Sequence, residues 1–321
     1  MRIPRVSICI PTYCQVDYLK ETLRSVQAQE FDDYELIISD DTADDTVEKL
    51  VGSFGFDDRL RYFHNPVALG SPENWNAAVR KAQGNYIKLL HHDDRFSHPG
   101  ALGAFVRLLD DNIEADFAFS ASSAENVIDG CIHYQCPSKK QVIELGITPE
   151  KLFFKNIIGA PSATIYRNGL GIEYDRALQW LVDVDFYIRF LKYNPLLIYS
   201  DEVLIVTATN AMHQITERCK NNVSIEMFEY IYIYQKIAQK ISENIGVQYV
   251  WFRLFEKYQI YSQADLQQQG DRFFIEEKIL QSFFESYRHV RLKRTPYRIY
   301  ARLPETLKSI IRFFYYKVIP S

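Results

Sequence analysis

The segment Tyr86–Phe96, YIKLLHHDDRF, runs from an apolar stretch straight into His91, His92, Asp93 and Asp94. Two adjacent carboxylates at the end of a strand repel one another unless something cationic holds them. A divalent ion bridging to a diphosphate is one such arrangement, and hard oxygen ligands suit Mg²⁺ or Mn²⁺. The alternative is a cap, with Asp94 or Ser97 opening the next helix, and the four residues alone do not choose between the two. Zinc is disfavoured, because adjacent histidines on an extended chain point to opposite sides. A second acidic pair, Asp40 and Asp41, ends the run YELIISDD. An acidic residue after the second strand of a nucleotide-binding α/β sheet often holds a ribose or a base. A third group, Asp183 and Asp185 in LVDVDFYIRF, stands at the head of a helical run. A carboxylate there can act as a general base, whereas Asp185 and Arg189 read as an i,i+4 pair. Neither GxGxxG nor GxxxxGK[ST] occurs, so a metal rather than a glycine loop must neutralise any diphosphate.

The elements that position these groups follow from hydrophobic period. RVSICI, YELIISDD, LRYFHN, NYIKLL and ADFAFSA read as strands. Between them, VDYLKETLRSVQAQ, DDTVEKLVGSF, SPENWNAAVRKAQG and SHPGALGAFVRLLDDN read as helices. The third is expected to open with Ser71 as cap and Pro72 at its first position, and to close at Gly84. Strand and helix alternate four times in about 120 residues, which calls for a mostly parallel sheet with helices on both faces. Ligands bind beyond the carboxyl ends of such strands. There Pro11-Thr12-Tyr13, Asp40-Asp41 and His91–Asp94 converge. Farther on, NIIGAPSATIYRN reads as a loop entering a strand, LVDVDFYIRFLKYN as a helix and LLIYSDEVLIVTAT as an irregular β segment; from about residue 217 the pattern is mainly helical.

Several of these motifs, in this order, resemble the catalytic domain of glycosyltransferase family 2, the inverting enzymes of the GT-A fold. The resemblance covers roughly residues 4–215, and it implies a nucleotide-diphosphate-sugar donor with Mn²⁺ or Mg²⁺. By it, Pro11, Thr12 and Tyr13 line the nucleobase pocket and Asp40 or Asp41 holds the base or ribose. HHDD stands in place of the DxD motif, with a histidine where the family often has an acid. Asp94 is then the metal ligand and Asp93 a contact to sugar or ribose. Asp183 is the base, with Val182 where Glu is frequent in the family. Asn74 or Asn76, on the helix before the HHDD strand, reaches the donor, and His213 in NAMHQIT resembles the final motif near the diphosphate. The implied pathway is bacterial surface polysaccharide, O-antigen or capsule, assembled on a lipid-linked acceptor. Rival readings are a nucleotidyltransferase, whose glycine-rich phosphate loop is missing, and a non-catalytic nucleotide-sugar or carbohydrate-binding scaffold.

The rest of the chain fits these readings. Its 321 residues are 47% hydrophobic and 24% charged, ordinary for a globular protein. The aromatic content of 14% suggests a surface that meets sugars, lipids or another chain. Cysteines 9, 14, 131, 136 and 219 form no CxxC pair and read as reduced thiols. No stretch approaches a membrane span. The net charge of −4 is uneven: from Tyr287 onward nine Lys/Arg face one Glu, leaving −12 on the preceding 286 residues. The expected organisation is a catalytic domain over 1–215 and a helical region over 216–321. Leu307, Ile310, Ile311, Phe314 and Tyr315 in that region recur at the spacing of a helix lying in a membrane interface. The expected location is the cytoplasm, at the inner face of the cell membrane and on an anionic surface. The acidic body and the lack of a recognised module argue against nucleic acid.

Overall fold

A computed structural model describes residues 3–211, 214, 219, 221–241, 245–268 and 284. His213 and the basic tail lie outside the described residues. The chain divides into two compact units, 1–234 and 235–321.

In the first unit, β1 (Val6–Thr12) lies between β2 (Tyr34–Asp40) and β4 (Tyr86–Leu89), parallel to both, and β2 pairs in parallel with β3 (Leu60–His64). β1, β2 and β4 are buried along their whole length. That is why they read as continuous apolar runs rather than alternating ones. Helices α1 (Val16–Gln27), α2 (Thr46–Gly52), α3 (Glu73–Arg80) and α4 (Ala101–Asp110) connect and cover them. α1 shows the rule plainly: its buried residues Leu19, Thr22, Leu23 and Val26 recur at i, i+3, i+4 and i+7. Leu19, Leu23 and Val26 join Ile8 and Ile10 of β1 and Leu102, Phe105 and Leu109 of α4 in one core cluster.

Beyond β4 the sheet changes character. The strand order is β3-β2-β1-β4-β8-β6-β9-β5, with β7 on β6. β8 (Thr164–Arg167) is antiparallel to both β4 and β6 (Phe117–Asn126). β6 pairs in parallel with β9 (Leu197–Thr209), with register shifts at Ser120–Ser122. β9 pairs antiparallel with β5 (Arg95–Phe96), and β7 (Ile132–Gln135) antiparallel with β6. The sheet is therefore parallel in its first half and mixed in its second. α5 (Lys139–Ile147), α6 (Val182–Tyr193) and α7 (Val223–Ile241) follow, with α7 belonging to the first unit up to Tyr234. The second unit holds α8 (Ile245–Tyr258) and α9 (Gln263–Gln267).

Three local expectations are corrected. α3 opens at Glu73 with Pro72 at the capping position, and the Ser71 hydroxyl caps nothing. α4 is preceded by Gly100, so neither Asp94 nor Ser97 caps it; Ser97 Oγ donates to the Val203 carbonyl instead. α3 closes at Arg80, short of Gly84. Gly84 has another reason to be glycine: a Cβ there would lie 2.6 Å from the Ser7 backbone nitrogen. Its own N–H donates to Ser7 Oγ at 2.8 Å.

Candidate active site

β4 ends at Leu89, and the chain then makes a tight turn in which Asp94 N–H donates to the His91 carbonyl. Thr22 on α1 secures the turn, its hydroxyl within hydrogen-bond reach of the carbonyls of His92 at 2.8 Å and Asp94 at 2.7 Å. One nitrogen of His91 and one oxygen each of Asp93 and Asp94 lie within 4.8 Å of one another. Asp94 is 4% exposed, and one of its carboxylate oxygens accepts from Ser162 Oγ at 2.5 Å. Burial and the neighbouring Asp93 push its carboxyl well above the usual range. Asp93 is more open and accepts from Gln214 Nε2 at 2.9 Å. His91 rests on Trp75, ring centroids 4.5 Å apart, and burial lowers its pKa to about 4. Its Nε2 is buried without a hydrogen-bond partner among the described residues. A neutral imidazole with a spare nitrogen and two carboxylates is a donor set that fits a divalent cation. Of the two histidines standing where the family often has an acid, His91 is the one that offers a nitrogen to this group.

Two cavities flank this cluster. The first, about 370 Å³, is lined by Pro11, Thr12, Tyr13, Asp41, Gly70, Asn74, Trp75 and His92, among others. It brings together most of the residues expected at the nucleotide. Asp41 turns its carboxylate on the protein, accepting from Leu69 N–H at 3.0 Å, Gly70 N–H at 2.8 Å and Asn65 Nδ2 at 2.9 Å. It therefore shapes the wall formed by residues 69 and 70. Asn74 likewise ties the wall together, donating to the Thr12 carbonyl and accepting from Asn65. Asp40 is fully buried and lines neither cavity; it accepts from Thr12 Oγ1, Thr42 N–H and Tyr62 Oη.

The second cavity, about 310 Å³, shares Pro11, Trp75 and His92 with the first. His91, Asp93, Asp94, Pro161, Trp180, Asp183 and Gln214 also line it. Asp183 lies in the first turn of α6, where Asn156 Nδ2 donates to one carboxylate oxygen at 2.7 Å and the Val184 N–H to the other at 2.8 Å. Burial outweighs these bonds and raises its pKa to about 7. Asp185 and Arg189 form the i,i+4 pair at 2.7 Å.

Two residues here escaped the sequence reading. Lys88, on β4, is fully buried, with its ammonium bonded to the carbonyls of Ser162 and Thr164 and 4.2 Å from the centre of the Phe105 ring. Burial drives its pKa well down. A lysine inside an apolar run carries no motif, and only the fold brings it to the Ser162 segment. Gln214 lies next to His213, the residue favoured in that stretch. A larger cleft of about 500 Å³ opens at the opposite ends of β1 and β4. Its arginines are engaged: Arg5 pairs with Asp110, and Arg167 donates to the carbonyls of Leu109, Ile113 and Ala115.

The model of glycosyl transferase family 2 matches residues 7–167. The chain belongs to this family. Among its relatives, the putative colanic acid biosynthesis glycosyl transferase WcaA of Escherichia coli K12 is 25% identical over 257 residues, 79% of this chain and 88% of that one. A Campylobacter jejuni GalNAc(5)-diNAcBac-PP-undecaprenol beta-1,3-glucosyltransferase is 32% identical over 107 residues, 33% and 34% of the two chains. An uncharacterized Mycobacterium tuberculosis protein is 28% identical over 204 residues, and the match spans 62% of its length. The fold is that of GT-A glycosyltransferases. TarS 1–349 of Staphylococcus aureus in complex with UDP-GlcNAc superimposes with a TM-score of 0.58 at 14% identity, covering 90% of this chain and 92% of that one. The mannosyltransferase PcManGT of Pyrobaculum calidifontis, with GDP-Man and Mn²⁺, gives 0.53 at 12% identity, covering 92% and 89%. This family 2 chain is accordingly a glycosyltransferase with relatives in bacterial polysaccharide biosynthesis.

Proposed function

We propose that the enzyme is an inverting transferase that moves a sugar from a nucleotide-diphosphate donor to a hydroxyl of a lipid-linked glycan. The observation that carries this reading is the cavity shared by Asp183 and the His91–Asp93–Asp94 cluster. One wall can hold a diphosphate, and the other presents a carboxylate whose pKa of about 7 suits proton abstraction near neutrality. The nucleotide occupies the neighbouring cavity, against Pro11, Thr12, Tyr13 and the wall braced by Asp41 and Asn74. His91, Asp93 and Asp94 would hold Mn²⁺ or Mg²⁺, and the imidazole in the set favours Mn²⁺. When bound, the ion neutralises the charge that develops on the leaving diphosphate.

Asp183 takes the proton of the acceptor hydroxyl. The freed oxygen bonds to the anomeric carbon as the bond from that carbon to the diphosphate oxygen breaks on the opposite face, which inverts the configuration. Asn156 and the Val184 N–H keep the carboxylate aimed through the transfer.

The lipid-linked acceptor is supported by the undecaprenol-linked substrate in the Campylobacter relative's name and by the basic, aromatic tail. No helix among the described residues is long and apolar enough to cross a membrane. From its charge and composition we assign the tail to docking on the anionic inner surface of the membrane. A nucleotide-release assay over a panel of UDP-, GDP- and dTDP-sugars, with Mn²⁺ and with EDTA, tests the proposal. Metal-dependent release of one nucleoside diphosphate is expected. A chain that binds a donor but releases nothing with any acceptor is a scaffold instead.

A further inference from the structure

The loop that delivers Asp183 is gripped from a helix outside the family's matched segment. Glu229, on α7, is 1% exposed, and its two oxygens accept three consecutive backbone N–H groups. Gln179 donates at 2.7 Å, Trp180 at 3.0 Å and Leu181 at 2.7 Å. Leu181 is the residue from which α6 starts, two positions before Asp183. Neighbours on α7 add to the grip. Tyr232 Oη donates to Asp175 at 2.9 Å, and the Tyr230 ring meets Trp180 edge-on at 6.1 Å between centroids. Trp180 and Asp183 then line one cavity.

Resting on the reading of Asp183 as base, we propose that Glu229 is a positioning residue for transfer: its carboxylate fixes the 179–181 backbone and thereby sets both the aim of Asp183 and the Trp180 wall against which the acceptor sugar lies. A carboxylate that satisfies three loop amides at once holds that segment far more tightly than packing alone, because releasing any one strands a buried donor. The acceptor is the partner that feels this. Trp180 and Asp183 line the second cavity and not the nucleotide cavity. An indole face suits the apolar face of a sugar ring.

Electrostatics gives the proposal a readout beyond structure. Around Asp183 stand Tyr174 and Tyr187, Glu229 on α7, and His91, Asp93 and Asp94 across the cavity. Glu229 is the anion that helps burial hold the Asp183 proton.

Glu229→Gln keeps the volume but turns an NH₂ group toward N–H donors. Turnover should fall on the order of 10²-fold with donor affinity unchanged, as for a misaimed catalytic group. The acidic limb of the turnover profile should move to lower pH, since one negative neighbour is gone. Glu229→Asp, with the charge kept and the reach shortened, should lose turnover without moving the limb. Unchanged turnover in Glu229→Gln, or a limb that stays in place, overturns the proposal. Hydrogen exchange on the wild-type chain is a check that needs neither a folded variant nor any transfer activity. The amides of Gln179, Trp180 and Leu181 should exchange slowly, and exchange at the rate of an open loop overturns the clamp. A chain with slow amides that transfers no sugar fails the glycosyltransferase reading instead.

Discussion

Burial sets the behaviour of Asp183, because it disfavours the charged carboxylate and places the pKa at about 7. A base works only when deprotonated, so turnover should fall as pH drops through about 7 and level off above it. A pH profile at saturating donor measures this, and a limb near the ordinary aspartate value would remove Asp183 from the role. Asp183→Asn should lower transfer by roughly 10² to 10⁴. It should leave donor affinity by calorimetry nearly unchanged, since the residue lines the second cavity and not the nucleotide cavity. The cluster behaves differently. Asp94→Asn, or EDTA with the wild type, should abolish nucleotide release, and full activity in either would show that no ion is held there. The sequence offered Asp183 and Asp185 at one helix start, the family resemblance singled out Asp183, and the structure places it in the second cavity. Lys88 and Glu229 were not legible in the sequence. Lys88 is bonded to carbonyls 74 and 76 residues farther along the chain, and Glu229 grips a loop about fifty residues away.

Among the elements, those with a continuous apolar run or a clear helical period were the readable ones. β1, β2 and β4 are buried on both faces, so their apolar runs declare them, and the helices between them carry a clear 3.6-residue period. β6 and β9 meet across about eighty residues with a shifted register, and β8 reverses direction beside β4. No local pattern encodes such pairings, so the strand order in the second half of the sheet comes from the structure alone. The Gly84 approach to β1 belongs to the same scale. Gly84→Ala forces a methyl into backbone, 2.6 Å from Ser7 N and 2.7 Å from the Val6 carbonyl carbon. It should destabilise by about 1–3 kcal/mol, read as a lower denaturation midpoint with an unchanged slope. An unaltered midpoint would mean that the loop moves aside freely.

For the molecule as a whole, charge is the organising quantity. A body at −12 is repelled by an anionic bilayer, and the +8 carried after Tyr287 opposes that repulsion. With ~1 kcal/mol from each basic residue near the surface, full-length protein should float with anionic vesicles and release as salt rises. Protein ending at Glu285 should stay at the bottom of the gradient. Equal flotation of both would take the anchoring role from the tail.

Glu229 holds main chain, not side chains. Every amino acid except proline offers the same N–H, so the more open positions 179 and 180 are free to diverge while the register of the base stays put, whereas Leu181 is held by its own burial. Natural variants and designed libraries can therefore retailor what the acceptor encounters at Gln179 and Trp180 without re-solving how Asp183 is delivered. Proline is the one replacement this arrangement forbids.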